Sequence, residues 1–136
     1  MNQSLEERLD AIRNHPLHRQ LGLHQLEATA GRAELSARIA GKSTLNPAGV
    51  MHGGVLYVLS DVAAYAATLS MLDPSEEAVT HDLHISVLRG SSSGAEIALS
   101  AQVLRRGRKL VFIQVQAHAD DHLLATATVT KSVIAR

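Results

Sequence analysis

Through most of its second half the chain alternates apolar and polar residues with a period of two. Val79, His81, Leu83, Ile85 and Val87 alternate with Thr80, Asp82, His84 and Ser86, and Ile97, Leu99, Ala101 and Val103 alternate with Ala98, Ser100 and Gln102. The same rhythm runs through Val111, Ile113, Val115 and Ala117, and again through Ala125, Ala127, Val129 and Val133. Each series has the period of a strand with one buried face. The breaks at 90–94, 105–108 and 120–122 are short enough for hairpins, which predicts an antiparallel sheet. Leu21–Ala28 and Arg32–Ile39 read as two earlier strands joined near Gly31. Residues 4–14 read as a short helix. Ser4 can cap it, Glu7 sits three residues on, Leu5, Leu9 and Ile12 share a face, and Pro16 lies just past its end.

A different pattern fills 55–72, which is apolar almost without a break. Leu45–Gly54 before it is a loop by its Pro and Gly content, and Asp73-Pro74 stops it. The stretch contains Ser60, Asp61, Thr68 and Ser70. An Asp at the centre of a membrane span costs roughly 2.5–3.5 kcal/mol. A central helix buried under the sheet is therefore expected, not a membrane anchor. The predicted fold is α+β, one long apolar helix wrapped by a curved antiparallel sheet of five to six strands. Residues 1–20 form an N-terminal helix and linker, and 21–136 a single domain.

Composition narrows the function. The chain has 136 residues, 46% hydrophobic and 19% charged, which suits one globular domain with a real core. Thirteen basic residues balance thirteen acidic ones, which argues against a protein that coats nucleic acid or an anionic membrane. Tyr57, Tyr65 and Phe112 are the only aromatics, too few for a base-stacking platform. With no Cys, disulfides, thiolate metal sites and a cysteine nucleophile are excluded. The histidines show no metal-ligand spacing, so no metal or cofactor is expected. Met1–Asp10 is polar and acidic and does not read as a signal peptide, so a cytoplasmic location is the expectation.

The candidate chemistry lies where loop becomes helix. Gly53-Gly54 opens the helix, where the first N–H groups lack intrahelical partners and carry the positive end of the dipole. Without Cβ atoms there, a carbonyl can approach the backbone closely, and fixed donors can hold a developing oxyanion. Asp61 is a lone carboxylate on an otherwise apolar helix, and its burial is costly unless something uses it. It suits a general base acting on water, or a nucleophile forming a mixed anhydride. Asp61 lies eight positions after Gly53, about 12 Å of helix rise. If both act on one carbonyl, they must come from two subunits of a twofold dimer.

Asn46-Pro47-x-Gly49-x-x-His52-Gly53-Gly54 with Asp61 on the following helix resembles the hotdog-fold acyl-CoA thioesterases. The nearest branch is the phenylacetate-pathway (PaaI-like) type within the 4-hydroxybenzoyl-CoA thioesterase superfamily. Val79-Thr80-His81-Asp82-Leu83-His84-Ile85 is similar to that family's third strand, and Val103–Lys109 to its basic hairpin. The resemblance runs from about Leu21 onward. It implies the hotdog fold, an acyl-CoA substrate, homodimers or dimers of dimers, and sites shared between subunits.

The resemblance also implies roles. Gly54 N–H is the expected carbonyl-polarising donor with Gly53 beside it, and Asp61 does the chemistry. His52 structures the loop and the start of the helix. Thr80 stands where relatives carry a hydroxyl near the acid; it orients water or is an ordinary strand threonine. Asn46 contacts the carbonyl or the water, or shapes the Asn46-Pro47 turn. Tyr57 and Tyr65, four residues either side of Asp61, wall an acyl pocket, bond the acid or simply pack. Arg105, Arg106, Arg108 and Lys109, with Arg89, are candidates for the phosphates of coenzyme A. Two rival readings are an acyl-CoA-binding hotdog domain that does not hydrolyse, and a hotdog hydratase. The first usually lacks the acid, and the second uses an Asp/His pair that is not found here.

Overall fold

The computed structural model describes residues 3–136, so Met1 and Asn2, at the start of the predicted N-terminal region, lie outside the described residues. Helix α1 spans Leu5–Arg13. Its capping box is complete: Ser4 Oγ accepts from Glu7 N–H at 3.1 Å, and Ser4 N–H donates back to Glu7 Oε2 at 2.8 Å. Leu9 and Ile12 are buried. The segment expected to be linker is a second helix, α2, Pro16–Gln20. Pro16 does not merely follow the first helix; it occupies the first turn of the next, where its missing N–H costs nothing.

Strands β1 (Leu23–Thr29) and β2 (Arg32–Arg38) form a hairpin. Its turn is Ala30-Gly31, both at positive φ, the geometry that matches strand twist. The loop that follows contains a 3-10 turn at Lys42–Thr44 and leads to helix α3, Gly53–Leu69. The remaining strands are β3 (Glu76–Val87), β4 (Glu96–Arg106), β5 (Leu110–Ala119) and β6 (His122–Ala135). They form one antiparallel sheet in the order β1-β2-β4-β5-β6-β3. This is the hotdog arrangement, with the sheet wrapped on α3. None of the helices among the described residues is long and apolar enough to cross a membrane.

The sheet order corrects one expectation. The breaks at 105–108 and 120–122 are hairpins, but 90–94 is not. It belongs to a connection from β3, at one edge, back to β4 in the middle of the sheet. That connection braces the loop before α3: Met51 N–H donates to Ser91 O at 2.8 Å, and Val50 bridges Ser92.

The predicted inward residues of β4, β5 and β6 line the core. Ile97, Leu99, Val111, Ile113, Val115, Ala117 and Val129 are at most 1% exposed. Ala63, Ala64, Ala66 and Ala67 are each fully buried, so these small side chains let the sheet close on the helix instead of leaving space beside it.

β3 departs from simple alternation. Its register against β6 shifts between Thr80 and Asp82, with His81 as the extra residue. Before the bulge Ala78 and Thr80 share the helix side; after it Leu83 and Ile85 do. Val79, expected inward, is 46% exposed.

Leu56 is wholly buried in α3 under the sheet. Leu56→Ala should lower unfolding stability by about 2–5 kcal/mol, the range for deleting a buried leucine side chain. Urea denaturation followed by circular dichroism measures it.

Candidate active site

One stripe of α3 is not covered by the sheet. Gly53, Gly54, Tyr57, Val58, Asp61 and Tyr65 follow one another at helical spacing and retain exposure, while the other faces are buried. Asp61 does not stand in an apolar surround. Lys131 Nζ donates to its Oδ1 at 2.7 Å, and Thr80 Oγ1 donates to the same oxygen at 2.6 Å. Lys131 Nζ also donates to Thr80 Oγ1 at 2.7 Å, which closes a triangle. Asp61 Oδ2 has no partner among the described residues. Thr80 reaches the acid because the bulge turns it toward α3.

Lys131 is a member of this cluster that the sequence pattern did not single out. It is 2% exposed, against 41% for Asp61. The signal was present: Lys131 is in phase with Ala125, Ala127, Val129 and Val133, so strand periodicity places it on the buried face. Burial pushes its ammonium below the ordinary lysine range, and the charge and hydrogen bond of Asp61 oppose that shift.

A second layer supports the first. The Tyr65 ring lies 5.3 Å from Lys131 Nζ, close enough for a cation–π contact. The Tyr65 hydroxyl donates to Glu77 Oε1 at 2.8 Å, so it bonds this glutamate and not Asp61. Burial, then the bond to Glu77, raises the Tyr65 phenol above its usual range. Arg8 of α1, 6% exposed, donates to Glu76 O at 3.1 Å and sets its Nη2 2.7 Å from Glu77 Oε1. That second contact is a close ion pair. Burial alone would raise the Glu77 carboxyl; the Ala78 N–H, the Tyr65 hydroxyl and Arg8 outweigh it and hold the group low.

At the other end of α3, His52 is the N-cap. Its Nδ1 accepts from Gly54 N–H at 2.9 Å, which leaves the neutral ring's proton on Nε2. Gly54 N–H, the expected donor to substrate, is thus occupied, and Gly53 N–H is the one without a partner among the described residues. A Cβ at Gly53 would meet nothing within 4 Å, so the space beside its α-carbon is open. Asn46 shapes its loop: Oδ1 accepts from Ala48 N–H at 2.9 Å and Val50 N–H at 3.1 Å. Its Nδ2 is without a partner among the described residues. Tyr57 is 49% exposed on the open stripe, one helical turn before Asp61.

The basic candidates do not form one cluster. Arg105–Lys109 lies at the β4–β5 turn, while Arg89 sits at the opposite end of the sheet, where its Nη1 donates to His122 Nδ1 at 2.9 Å. A ten-residue strand, β5, separates the two ends, roughly 30 Å. Arg106 is committed to structure: its Nη2 meets Glu76 Oε1 and Oε2 at 2.9 and 3.0 Å, and its Nη1 donates to Gly107 O at 2.6 Å. Arg105, Arg108 and Lys109 remain exposed.

Residues 48–131 match the Thioesterase superfamily, and the chain belongs to that family. No curated protein matches. Among solved structures, the conserved protein PA5202 from Pseudomonas aeruginosa is 27% identical, with a TM-score of 0.83 over 90% of this chain and 97% of that one. A mutant of the phenylacetic acid degradation protein PaaI from Thermus thermophilus is 26% identical, with a TM-score of 0.78 over 86% and 97%. A thioesterase family protein from Silicibacter pomeroyi shares the fold at 21% identity, with a TM-score of 0.87 over 98% and 100%.

The lowered Glu77 carboxyl stabilises the fold above the ordinary glutamate range, and that contribution is lost as pH falls through its folded-state value. Glu77→Gln should therefore be less stable than wild type at neutral pH, and the gap should narrow in acid. Urea midpoints of both proteins across pH 3–7 check this.

Proposed function

We propose that the protein hydrolyses an acyl-CoA thioester to a carboxylic acid and free coenzyme A. The observation that carries this reading is Asp61. It is a carboxylate on the one open stripe of a buried helix, anchored through Oδ1 by a hydroxyl and an ammonium with Oδ2 left available. Membership of the thioesterase superfamily and likeness to PaaI support the reaction class.

In this reading Oδ2 takes the proton of a water that attacks the thioester carbon, or attacks that carbon itself to give an anhydride that water then opens. The carbonyl oxygen turns negative as the new bond forms. A backbone N–H fixed at the start of α3 receives it, which in other oxyanion holes lowers the barrier by about 2.7–4 kcal/mol. Gly53 N–H is the donor ready for that role; Gly54 N–H joins only if His52 releases it. Asn46 Nδ2 and Tyr57 face the substrate as lesser contacts.

Gly53 and Asp61 sit on one helix eight positions apart, an axial offset of about 12 Å. One α3 cannot apply both to a single carbonyl. The working unit is therefore a twofold homodimer, with open stripes face to face and two equivalent sites, each taking its amide from one subunit and its acid from the other. Arg89, at the glycine end of the helix, and Arg105, Arg108 and Lys109, at the acid end, then flank one composite site from different subunits. These are the cations offered to the coenzyme A phosphates. A domain that binds acyl-CoA without hydrolysing it would release no thiol.

Asp61→Asn should abolish release of free thiol from acyl-CoA while binding persists; normal turnover in that variant removes the catalytic assignment. Gly53→Pro deletes only the amide, since proline is tolerated at the first helical position and His52 already has the extended backbone that precedes proline. Mixed heterodimers of these two inactive variants should regain one working site of two. Continued inactivity in verified heterodimers refutes the shared site. Separately, reversing the charge of Arg105 and Arg108 should raise KM for acyl-CoA more than for a short thioester lacking the nucleotide. Equal effects on both substrates exclude a phosphate role.

A further inference from the structure

Lys131 is a charged side chain placed where an apolar one would be expected. Its neighbours on the inner face of β6 are Val129 and Val133, and β5 sets Val111 opposite it. A fold that needed only packing would carry a Val or Met there, because exchanging a buried ion pair for apolar residues is often neutral or stabilising. The groups that face Lys131 are Asp61 and Tyr65 from α3, and Thr80 and Glu77 from β3. Arg8 of α1 stands behind Glu77.

Each of these contacts has a directional consequence. The ammonium and the Thr80 hydroxyl both donate to Oδ1 of Asp61, and neither touches Oδ2. Because Lys131 also donates to Thr80 Oγ1, that hydroxyl's own proton is directed to Asp61. The Asp61 rotamer is held from two sides, and its second oxygen is left without a partner among the described residues.

We infer that Lys131 is the positioning residue of this site, locking Asp61 and Thr80 into one unit so that Asp61 Oδ2 alone is presented to the substrate or its water. The inference rests on reading Asp61 as the acting carboxylate. Lys131 does not touch substrate, and it acts only through Asp61. The bulge in β3 and the chain Arg8–Glu77–Tyr65 serve the same end: one brings Thr80 to the triangle, and the other fixes the ring against which the ammonium lies.

The test uses the full chain with Lys131→Met, which fills the same volume without charge, and Lys131→Arg, which keeps the charge. Lys131→Met should lower kcat about 10- to 100-fold through misplacement of the acid, with KM changed less than about twofold and thermal melting preserved. Lys131→Arg should recover part of the loss. A wild-type kcat in Lys131→Met overturns the inference. So does a loss that Lys131→Arg does not relieve while its melting is preserved.

A second arm needs no turnover and no Lys131 variant. The Lys131 side chain is titrated by NMR in wild type and in Asp61→Asn, where removing the carboxylate should move its transition to lower pH. An unmoved transition refutes the coupling even if Lys131→Met fails to fold. If wild type releases no thiol, the proposed hydrolysis falls, and this arm alone then decides whether Lys131 holds Asp61.

Discussion

An ammonium shut away from water has to be met by an anion and by acceptors, and much of this molecule's arrangement answers that demand. Leaving Lys131 unpaired at 2% exposure would cost several kcal/mol. The groups that satisfy it come from two other elements: Asp61 from α3 and Thr80 from β3. Helix, edge strand and final strand are thereby tied at one point. The tie also sets the register of β3 on β6, since Thr80 must lie opposite Lys131. A hydrophobic core tolerates some sliding; a buried charge with two short hydrogen bonds does not.

Around that point the packing is directional. α3 presents alanines to the sheet, and its larger or polar residues Tyr57, Asp61 and Tyr65 emerge on the remaining stripe. The same helix carries two chemically different groups. Its start offers an unsatisfied amide and the positive end of the dipole; its middle offers a carboxylate. Cap and loop are held stiffly by His52, Asn46 and the 88–95 connection, so both groups are placed by rigid elements. α1, although remote in sequence, contributes through Arg8, which links the N-terminal helix to Glu77 and so to the Tyr65 ring.

Much of this was legible in the sequence. Period-two alternation located β4, β5 and β6 and their inward residues, because an antiparallel sheet covered on one face writes its burial directly into the chain. The long apolar stretch located α3. The glycines and Asp61 marked groups that the structure leaves on the one uncovered stripe of α3. Three things were not legible, each for a physical reason. The order of strands is a tertiary choice, so a short loop at 90–94 looked like a hairpin. The partner of Gly54 N–H depends on a side-chain rotamer of the capping His52. Lys131 was passed over because lysine is almost never fully buried, although its phase in β6 was unambiguous. Arg105–Lys109 share one hairpin, as their sequence proximity implies, and only Arg89 is set apart from them by the length of the sheet.

The single surplus residue at His81 constrains how a chain of this kind can change length. It divides β3 into two stretches of opposite parity, so Ala78 and Thr80 face inward on one side and Leu83 and Ile85 on the other. Deleting that one residue would join them into a single even alternation, with Ala78, Thr80, Leu83 and Ile85 all still on the inner face. A loss at Val79 would instead turn Thr80 away from Lys131, so within 78–85 a single deletion keeps the inner face intact only at the bulge. Among diverging copies of such a gene, single-residue shortening of this strand should fall at 81–82 and not before Thr80.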